Sequence, residues 1–331
     1  MILDAVHPLL PERLQESGLC EVLDGSNADA EEILEALGRT DLPVHGLVVR
    51  SKMKLNAAAL SRAVNLRWIA RAGSGCDGID TDFASKNNIA LIHASEGNRL
   101  AVAEHVVAMI LAWLNRLNQG NQEIREGIWN REGNRGRQLA GSVVGLIGYG
   151  HNGSQTARLL AAMGCKVLVY DKYQHGYAST AQPLVVESTM EEIYNEAQIL
   201  TLHAPLTDQT RNLVQGDYLR RFRHLKLLVN AARGPMVNLP DLVQALEQNI
   251  LEGACLDTLP IENPQNWDHV WMDRLLAHPR VMVSPHVAGW TVESYKAISE
   301  VLADKIIAHL QQQTKPTPVP SHESSALVLN S

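Results

Sequence analysis

Val143-Val144-Gly145-Leu146-Ile147 is an apolar run that leads directly into Gly148-Tyr149-Gly150-His151-Asn152-Gly153, a GxGxxG pattern. The apolar run predicts a buried β-strand, and the pattern at Ser154–Met163 predicts a helix directly after the turn. A second apolar run, Lys166–Val169, predicts another strand and leads to Asp171. A strand, a glycine-rich turn, a helix, a second strand and an acid in this order are typical of a dinucleotide-binding unit.

The residues of this turn have separate roles in holding a pyrophosphate. Gly148 permits the tight turn, Gly150 lets the backbone approach the phosphates, and Gly153 lets the helix pack closely on the strand. His151 and Asn152 open the helix, where unpaired N–H groups and the helix dipole favour an anion. We therefore predict that all five residues bind the cofactor. The alternative is a glycine-rich turn that binds nothing.

Asp171 predicts which dinucleotide binds. It lies 18 residues after Gly153, at a position where a carboxylate accepts hydrogen bonds from the hydroxyls of the adenosine ribose. The same negative charge repels a 2′-phosphate, so Asp171 favours NAD over NADP. Lys172 follows directly and leaves NADP open as the alternative.

Short apolar runs alternate with helical patterns along the rest of the 331-residue chain. Continuous apolar runs suit parallel strands that are covered on both faces, and their alternation with helices predicts an α/β fold. At about 150 residues per domain, the length predicts two domains. The other strands are predicted at Leu47–Val49, Leu66–Ala70, Ile89–Ile92, Ile199–Leu202, Leu227–Val229, Gly253–Leu256 and Val281–Val283, and long helices at Ala101–Asn118 and Val292–Gln311.

The composition argues against several classes of protein. A formal net charge of −7 and an aromatic content of 5% disfavour nucleic-acid binding, which needs clustered positive charge or stacking surfaces. The four cysteines lie far apart, so we expect free thiols in a reducing compartment and no metal site. No apolar run is long enough to span a membrane, and the N-terminus lacks the pattern of a signal peptide. We therefore expect a cytoplasmic protein with a small-molecule partner.

Three polar residues lie just beyond separate apolar runs, namely Arg233, Glu262 and His286. In open parallel sheets, ligands bind beyond the carboxyl ends of the strands, so these side chains are expected to converge on one site. Each has an alternative interpretation when taken singly. Arg233 fits a solvated loop charge, Glu262 a surface residue and His286 a packed turn. Their joint position downstream of a dinucleotide-binding turn strengthens the prediction of a site.

The order of these motifs resembles that of the D-2-hydroxyacid dehydrogenase family, and within it the D-3-phosphoglycerate dehydrogenases. The resemblance extends over about residues 40–310. Several motifs in one order are more specific than any one of them. The matching segments are Ala72–Asp80, Asn98–His105, the GxGxxG turn, His203–Thr207 and the three segments that carry Arg233, Glu262 and His286.

The resemblance implies two doubly wound parallel-sheet lobes, with a Rossmann NAD-binding domain inserted in a flavodoxin-like substrate domain. The substrate domain is expected at residues 1–97 and 287–313, the NAD-binding domain at 98–286, and a flexible tail at 314–331. Only this tail follows residue 313, so the serine-binding regulatory domain of many bacterial relatives is not expected. The family is dimeric, so a homodimer is expected too. Helix 101–118 is a candidate interface element, with core packing as its alternative.

The resemblance assigns the chemistry to three residues. His286 matches the family's acid/base, and imidazole titrates near working pH. Glu262 matches the carboxylate that orients the histidine ring and stabilises its imidazolium form. Arg233 matches the arginine that grips the substrate carboxylate and polarises the carbonyl. The backbone N–H groups around Ser74 and Gly75 look like the loop that binds the same carboxylate.

Further contacts follow from the resemblance. Arg50 and Ser51 match a phosphate-holding pair, and Asn98 matches another substrate contact. A solvated strand end is the alternative for Arg50, and a structural turn residue is the alternative for His203. The expected cofactor contacts outside the glycine-rich turn and Asp171 are His203, Ala204, Pro205, Ala231, Asp257 and Gly289.

Three hypotheses about function stay open. The first is NAD-dependent oxidation of 3-phosphoglycerate to 3-phosphohydroxypyruvate, a step of serine biosynthesis, which Arg50 favours. The second is reduction of hydroxypyruvate, glyoxylate or another 2-oxo acid. The third is an NAD-sensing scaffold similar to the family's co-repressors. Leu100 and Trp290 depart from the family's pattern, and Trp290 is bulkier than the small residue common there, so both are able to reshape the pocket.

Overall fold

The computed structural model describes residues 1–177 and 182–314. Within them the chain forms two sheets in which all neighbouring strands are parallel. The strands are β1 (Gly46–Val49), β2 (Trp68–Arg71), β3 (Ala90–His93), β4 (Val143–Ile147), β5 (Lys166–Tyr170), β6 (Val185–Glu187), β7 (Ile199–Leu202), β8 (Leu227–Asn230), β9 (Gly253–Leu256) and β10 (Val281–Val283). The α-helices are α1 (Leu9–Glu16), α2 (Ala30–Gly38), α3 (Ala57–Arg62), α4 (Thr81–Lys86), α5 (Arg99–Leu114), α6 (Leu117–Arg125), α7 (His151–Ala162), α8 (Met190–Glu196), α9 (Gly216–Arg220), α10 (Leu239–Glu247), α11 (His269–Ala277) and α12 (Val292–Thr314), and short 3-10 helices lie at Gly234–Met236 and Pro264–Asn266.

The large sheet has seven strands in the order β10-β9-β8-β7-β4-β5-β6. The chain runs outward from β4 to β5 and β6 on one side, and then returns to place β7 on the other side of β4. Such a reversal opens a crevice at the carboxyl ends of the strands, where dinucleotides bind. The glycine-rich turn follows β4 and therefore lies at this crevice. The predicted Rossmann topology is confirmed.

The small sheet has the order β1-β2-β3 and is extended by two isolated bridges. Ile2 forms a parallel bridge with Val48 of β1 on one side and with Asp24 on the other. When these bridges are counted as shortened strands, the order in sequence becomes 2-1-3-4-5, which is the flavodoxin-like arrangement. The small sheet thus agrees with the predicted fold of the second lobe.

Helices cover both faces of each sheet. In β1, Leu47 and Val49 belong to the apolar cluster that includes Ile33 of α2, whereas Val48 belongs to the cluster that includes Leu302 of α12. Successive side chains of a strand point to opposite faces, so a strand covered on both faces must be apolar at every position. This is why the strands appear in the sequence as continuous apolar runs.

The structure differs from the sequence predictions at one strand and at one helix. The edge strand β6 is not predicted, and of its three residues only Val185 and Val186 are apolar, because the strand ends in Glu187. The single helix expected at residues 101–118 is two helices. Arg116 has a φ of 52°, a left-handed conformation that ends the regular helical path between α5 and α6.

Helix α5 packs inside the chain, as the core alternative for it predicts. Val106 and Ile110 are fully buried, and Nε1 of Trp113 donates a hydrogen bond to the carbonyl of Arg280 at 3.0 Å. Leu100 in the first turn of α5 is exposed, and further exposed apolar side chains follow the helix at Leu117, Ile124, Ile128 and Trp129.

The domain boundaries stay predictions, and the tail expected at 314–331 lies outside the described residues except for Thr314, which ends α12. In the described part of the chain no single helix has the length and apolarity of a membrane span. The bent pair of α5 and α6, at 59°, meets those criteria only when both helices are taken together. Residues 1–177 and 182–314 also hold no group of three or more His, Cys, Asp or Glu side chains arranged for a metal ion.

Candidate active site

The glycine-rich turn after β4 depends on the absence of side chains. Gly148 has a φ of 97°, and a Cβ there would lie 2.6 Å from the backbone nitrogen of Ala204. A Cβ on Gly153 would overlap the carbonyl oxygen of Gly148. No atom lies within 4 Å of the Cβ position of Gly150, so the space in front of the turn is open. The turn is packed tightly from behind and leaves a cradle at the N-terminus of α7 that fits a pyrophosphate.

Asp171 lies directly after β5, beside this cradle. One carboxylate oxygen accepts a hydrogen bond from the backbone N–H of Tyr149 at 2.7 Å, and the other accepts from Tyr173 at 2.8 Å and Gln174 at 3.0 Å. Burial opposes the negative charge, but the three backbone bonds outweigh it and lower the pKa of Asp171. The residue is an ionised acceptor at neutral pH, as hydrogen bonds from ribose hydroxyls require.

The turn after β7 closes the back of the cradle. The N–H of His203 donates to the carbonyl of Ile147 at 2.7 Å, which fixes residues 203–205, including Ala204 and Pro205, against the end of β4. Nε2 of His203 lies 3.0 Å from the hydroxyl of Thr201, and burial lowers the pKa of His203 to about 4. The ring is therefore neutral at neutral pH, and it packs as a turn residue beside the cofactor cradle.

His286 and Glu262 are in direct contact. Nδ1 of His286 lies 2.7 Å from Oε1 of Glu262, and the two side chains are 45% and 53% exposed. Nε2 of His286 has no hydrogen-bond partner in the described part of the chain. His286 has a φ of 55°, which is uncommon for a residue with a side chain. Backbone strain of this kind persists where the surroundings enforce it, and it clusters at active sites.

Asp257 holds the loop that carries His286. Its carboxylate accepts hydrogen bonds from the backbone N–H groups of Val287 and Ala288, both at 2.9 Å, and from the hydroxyl of Ser284 at 2.6 Å. Its carbonyl accepts the N–H of His286 at 2.8 Å. The residue is 1% exposed, so the structure gives it a positioning role. Its expected contact with the cofactor stays a prediction, one that this burial does not favour.

His105 also belongs to the hydrogen-bond network of Asp257. The sequence motifs predict no role for it. Its Nε2 lies 3.0 Å from the hydroxyl of Ser284 and 3.5 Å from the carboxylate of Asp257. The residue belongs to α5, whose other inward side chains are apolar. A polar residue in an apolar helical stripe is the sequence signal that points to such a contact.

Arg233 reaches from the large sheet to the loop that follows β2. Its Nε donates to the carboxylate of Asp77 at 2.6 Å, and its Nη1 donates to the carbonyl of Ala232 at 2.7 Å. A Cβ on Gly75 would overlap Nη2 of Arg233, so the guanidinium lies directly on the backbone of the loop that also contains Ser74. The structure thus brings together two predicted groups for a carboxylate, and it adds Asp77 as a counter-ion that the motifs do not reveal.

Two buried asparagines lie next to loops that carry predicted site residues. Asn230 is fully buried at the end of β8, and its side chain bonds to the backbone of the loop that carries Ala231 and Arg233. Asn98 is 8% exposed, and its Oδ1 has no partner within the described residues. Nδ2 of Asn98 lies 2.6 Å from the Cβ position of Gly289. Asn98 and Gly289, expected to contact substrate and cofactor respectively, are therefore neighbours.

Arg50 and Ser51 lie at the end of β1, where their backbone is already occupied. Both N–H groups donate to the carboxylate of Asp4, at 2.6 Å and 3.1 Å. Within the described residues neither the Ser51 hydroxyl nor the Arg50 guanidinium has a hydrogen-bond partner, and Cζ of Arg50 lies 3.6 Å from the centre of the Trp290 ring. If this pair holds a phosphate, these two side chains supply the contacts.

Arg71, at the end of β2, is a third cation near the candidate site, beside Arg50 and Arg233. No sequence motif points to it. Its Nη1 donates to the carbonyl of Ala72 at 2.8 Å. Burial is the main cause that lowers the pKa of Arg71, and the nearby charges of Arg233 and Arg50 lower it further. Because β1 and β2 pair in register, with Val49 opposite Arg71, positive charge is concentrated at the carboxyl ends of the small sheet.

Comparison with known proteins identifies the family. The sequence model described as D-isomer specific 2-hydroxyacid dehydrogenase, NAD binding domain, matches residues 107–288, which is more than half of the chain. The chain belongs to this family. It is 31% identical to a glyoxylate reductase of Thermofilum pendens, over 91% of this chain and 88% of that protein.

The chain is also similar to a D-3-phosphoglycerate dehydrogenase of Bacillus subtilis, with 31% identity over 92% of this chain and 54% of that protein. It thus spans about half the length of that relative. Among solved structures, D-lactate dehydrogenase from Aquifex aeolicus, complexed with NAD and lactic acid, has a TM-score of 0.79 and 25% identity, with 92% of each chain covered. The predicted family, the fold and NAD as the cofactor are confirmed.

Proposed function

We propose that this chain transfers a hydride between a D-2-hydroxy acid and NAD, and that the acid is 3-phosphoglycerate, which is oxidised to 3-phosphohydroxypyruvate. The observation that carries the proposal is the arrangement of three side chains. His286 and Glu262 form a pair at 2.7 Å, and Arg233 lies on the backbone of Gly75. Oxidation of a 2-hydroxy acid needs from the protein a proton acceptor and a ligand for the carboxylate.

His286 accepts the proton of the substrate hydroxyl. Glu262 engages Nδ1, so the free Nε2 takes the proton during oxidation and returns it during reduction. The carboxylate of Glu262 orients the ring and stabilises the imidazolium cation that this transfer creates. When bound, NAD supplies the acceptor for the hydride that leaves C2 of the acid.

Arg233 holds the substrate carboxylate. Asp77 engages Nε of Arg233, which leaves Nη2 available above the backbone of Gly75. The backbone N–H groups of Ser74 and Gly75 are donors on the same loop. A carboxylate bound by several fixed donors has one orientation, and this orients the hydroxyl at C2 as well.

The charges at the small sheet favour a substrate with a second anionic group. Arg71 lies close enough to both Arg50 and Arg233 for their charges to lower its pKa. Their counter-ions in the chain are Asp4, which is bound to the backbone after β1, and Asp77. One substrate carboxylate engages Arg233 and leaves the other cations without a ligand, whereas a phosphate at C3 binds a guanidinium well. We therefore assign the phosphate to Arg50.

A second candidate is the reduction of glyoxylate or hydroxypyruvate. The match to the Thermofilum glyoxylate reductase covers 88% of that protein, compared with 54% for the Bacillus phosphoglycerate dehydrogenase, and this favours an unphosphorylated acid. The two candidates share the roles of His286, Glu262 and Arg233. They differ in whether Arg50 contacts the substrate.

The first test is the rate of NADH formation and consumption with both phosphorylated acids and with glycerate, hydroxypyruvate and glyoxylate. We expect kcat/KM to be at least about tenfold higher for the phosphorylated pair, and Arg50→Ala to lower it by about ten- to a hundredfold for that pair alone. A preference for an unphosphorylated acid that Arg50→Ala does not change would establish the second candidate. Tight NADH binding with no turnover would contradict both and favour the scaffold hypothesis.

We also propose that the protein is a homodimer and that it works in serine biosynthesis in the cytoplasm. The segment after α5 exposes Leu117, Ile124 and Trp129 by 57%, 54% and 84%. We take these exposed apolar side chains, which lie in one short segment of the chain, as the interaction surface. Light scattering should give twice the mass of one chain, and a monomer at micromolar concentration would contradict the dimer.

A further inference from the structure

Trp290 and Arg50 form a stacked pair at the edge of the candidate substrate site. Cζ of Arg50 lies 3.6 Å from the centre of the Trp290 ring, well within the range of a cation–π interaction. Arg50 follows β1, and Trp290 lies four residues after His286 in a turn closed by a hydrogen bond from its N–H to the carbonyl of Val287 at 2.9 Å. The pair therefore connects the loop of the proton acceptor to the cation assigned to the phosphate.

The stack leaves the hydrogen-bonding groups of Arg50 free. Guanidinium N–H bonds lie in the plane of the group, whereas the indole covers one face. Within residues 1–177 and 182–314, no hydrogen bond or ion pair joins this guanidinium to another group. Desolvation lowers the pKa of Arg50, yet an arginine stays charged at neutral pH. An oriented and unpaired guanidinium is well suited to bind an anionic group through two parallel hydrogen bonds.

Trp290 also has an aromatic neighbour. Its ring packs edge-on against Tyr295, with the ring centres 5.2 Å apart, and Tyr295 packs against His7 at 5.8 Å. Trp290 is nevertheless 44% exposed, so it is not a core side chain that the fold needs for its apolar volume. Its aromatic neighbour is Tyr295, and the charged group stacked on it is Arg50.

We propose that Trp290 is a specificity-determining residue, which fixes the Arg50 guanidinium so that the enzyme prefers 2-hydroxy acids with an anionic group at the end opposite the carboxylate. This inference rests on the proposed function, in which Arg50 binds that group. Trp290 acts through Arg50 and takes no part in proton transfer. Its loss should therefore weaken binding of a phosphorylated acid without slowing turnover.

The experiment compares 3-phosphohydroxypyruvate with hydroxypyruvate, because these acids differ only in the phosphate. Trp290→Ser should raise KM for the phosphorylated acid about tenfold and leave kcat, and KM for hydroxypyruvate, within about threefold. Trp290→Phe keeps an aromatic face and should retain most of the affinity. The matched control is Trp271→Ser, which removes another Trp–Arg pair, formed with Arg274 on α11, and should change neither KM.

A double variant decides whether Trp290 acts through Arg50. When Trp290→Ser is added to Arg50→Ala, KM for the phosphorylated acid should rise no further. If the two substitutions have independent effects, or if Trp290→Ser raises KM equally for both acids, the role of Trp290 is overturned. The proposed function still stands in that case, provided that the wild type prefers the phosphorylated acid. A wild type without that preference would overturn the phosphorylated substrate and this role of Trp290 together.

Discussion

The glycine-rich turn and the arginine-rich edge of the small sheet are both assigned to anions, but they are built in different ways. The turn uses backbone, because Gly148 and Gly150 leave room and the N-terminus of α7 supplies donors. The edge uses side chains, such as Arg233, which is held by Asp77 at 2.6 Å. A Cβ at Gly148 or Gly153 would collide with neighbouring backbone, whereas a side-chain site is altered one residue at a time. The cofactor site therefore depends on the course of the backbone, and the substrate site depends on individual side chains.

The largest expected effect is on kcat, when a side chain that acts on the substrate is replaced. His286→Asn removes the proton acceptor and should lower kcat by about a hundred- to ten-thousandfold, as is typical for loss of a general base. The cradle at Gly150 is untouched, so NADH affinity measured by fluorescence titration should stay within about threefold. A matching loss of NADH affinity would show that the two regions are not separable.

Acidification should lower the free energy of unfolding through His203, which lies beside the cofactor site. Burial lowers the pKa of His203 from 6.5 to about 4. Between these values the unfolded chain binds a proton that the folded chain does not, so the stabilisation is complete above pH 6.5 and is lost as the pH falls towards 4. The loss should reach about 3 kcal/mol in the free energy of unfolding. His203→Asn should lack this part of the pH dependence in urea unfolding, and identical slopes for both proteins would contradict it.

Two glycine variants sharpen the claim that the turn is a backbone site. Gly153→Ala places a Cβ on the carbonyl oxygen of Gly148, so we expect about 1–3 kcal/mol of destabilisation together with weaker NAD binding. Gly150→Ala meets no atom within 4 Å. It should keep the stability and raise KM for NAD about tenfold, because the Cβ occupies the cradle. Normal NAD binding in Gly150→Ala would place the pyrophosphate elsewhere.

The smallest effect is expected for Asp77→Asn. This change removes the negative charge that holds Arg233 over Gly75 but leaves Arg233 in place. Because the pair is partly exposed, we expect KM for the acid to rise only about three- to fivefold, with kcat and KM for NAD unchanged. Steady-state kinetics should show a smaller rise in KM for Asp77→Asn than for Arg233→Lys. A larger rise for Asp77→Asn would contradict the supporting role of Asp77.

The cofactor half could be predicted from the sequence because its determinants are local. Strand β4, the glycines and Asp171 lie within 29 residues, and each has a conformational or charge requirement that few other residue types meet. The same locality explains why most strands were predicted within one or two residues. The exception is the edge strand β6, which has only two apolar residues before it ends in the charged Glu187.

The substrate half could be predicted only in part, because its contacts join distant segments. Arg233 and Asp77 are 156 residues apart, and Arg50 reaches Trp290 from the other end of the chain. Neither pairing leaves a periodic or spacing signal. The candidates Arg233, Glu262 and His286 were found through their positions after strands and the family resemblance. Asp77, which pairs with Arg233, and Arg71, whose charge lies near it, are assigned from the structure alone.

The most direct measurement is the initial rate of NADH formation by the wild-type protein with 3-phosphoglycerate, set against the rate with D-glycerate. These acids present the same hydroxyl and carboxylate to His286 and Arg233, and only the first presents a phosphate to Arg50. We predict a kcat/KM for 3-phosphoglycerate at least about tenfold above that for glycerate. Equal rates would contradict the assignment of Arg50, and no NADH from either acid, with no NADH consumed by their 2-oxo acids, would contradict the assignment of the whole site.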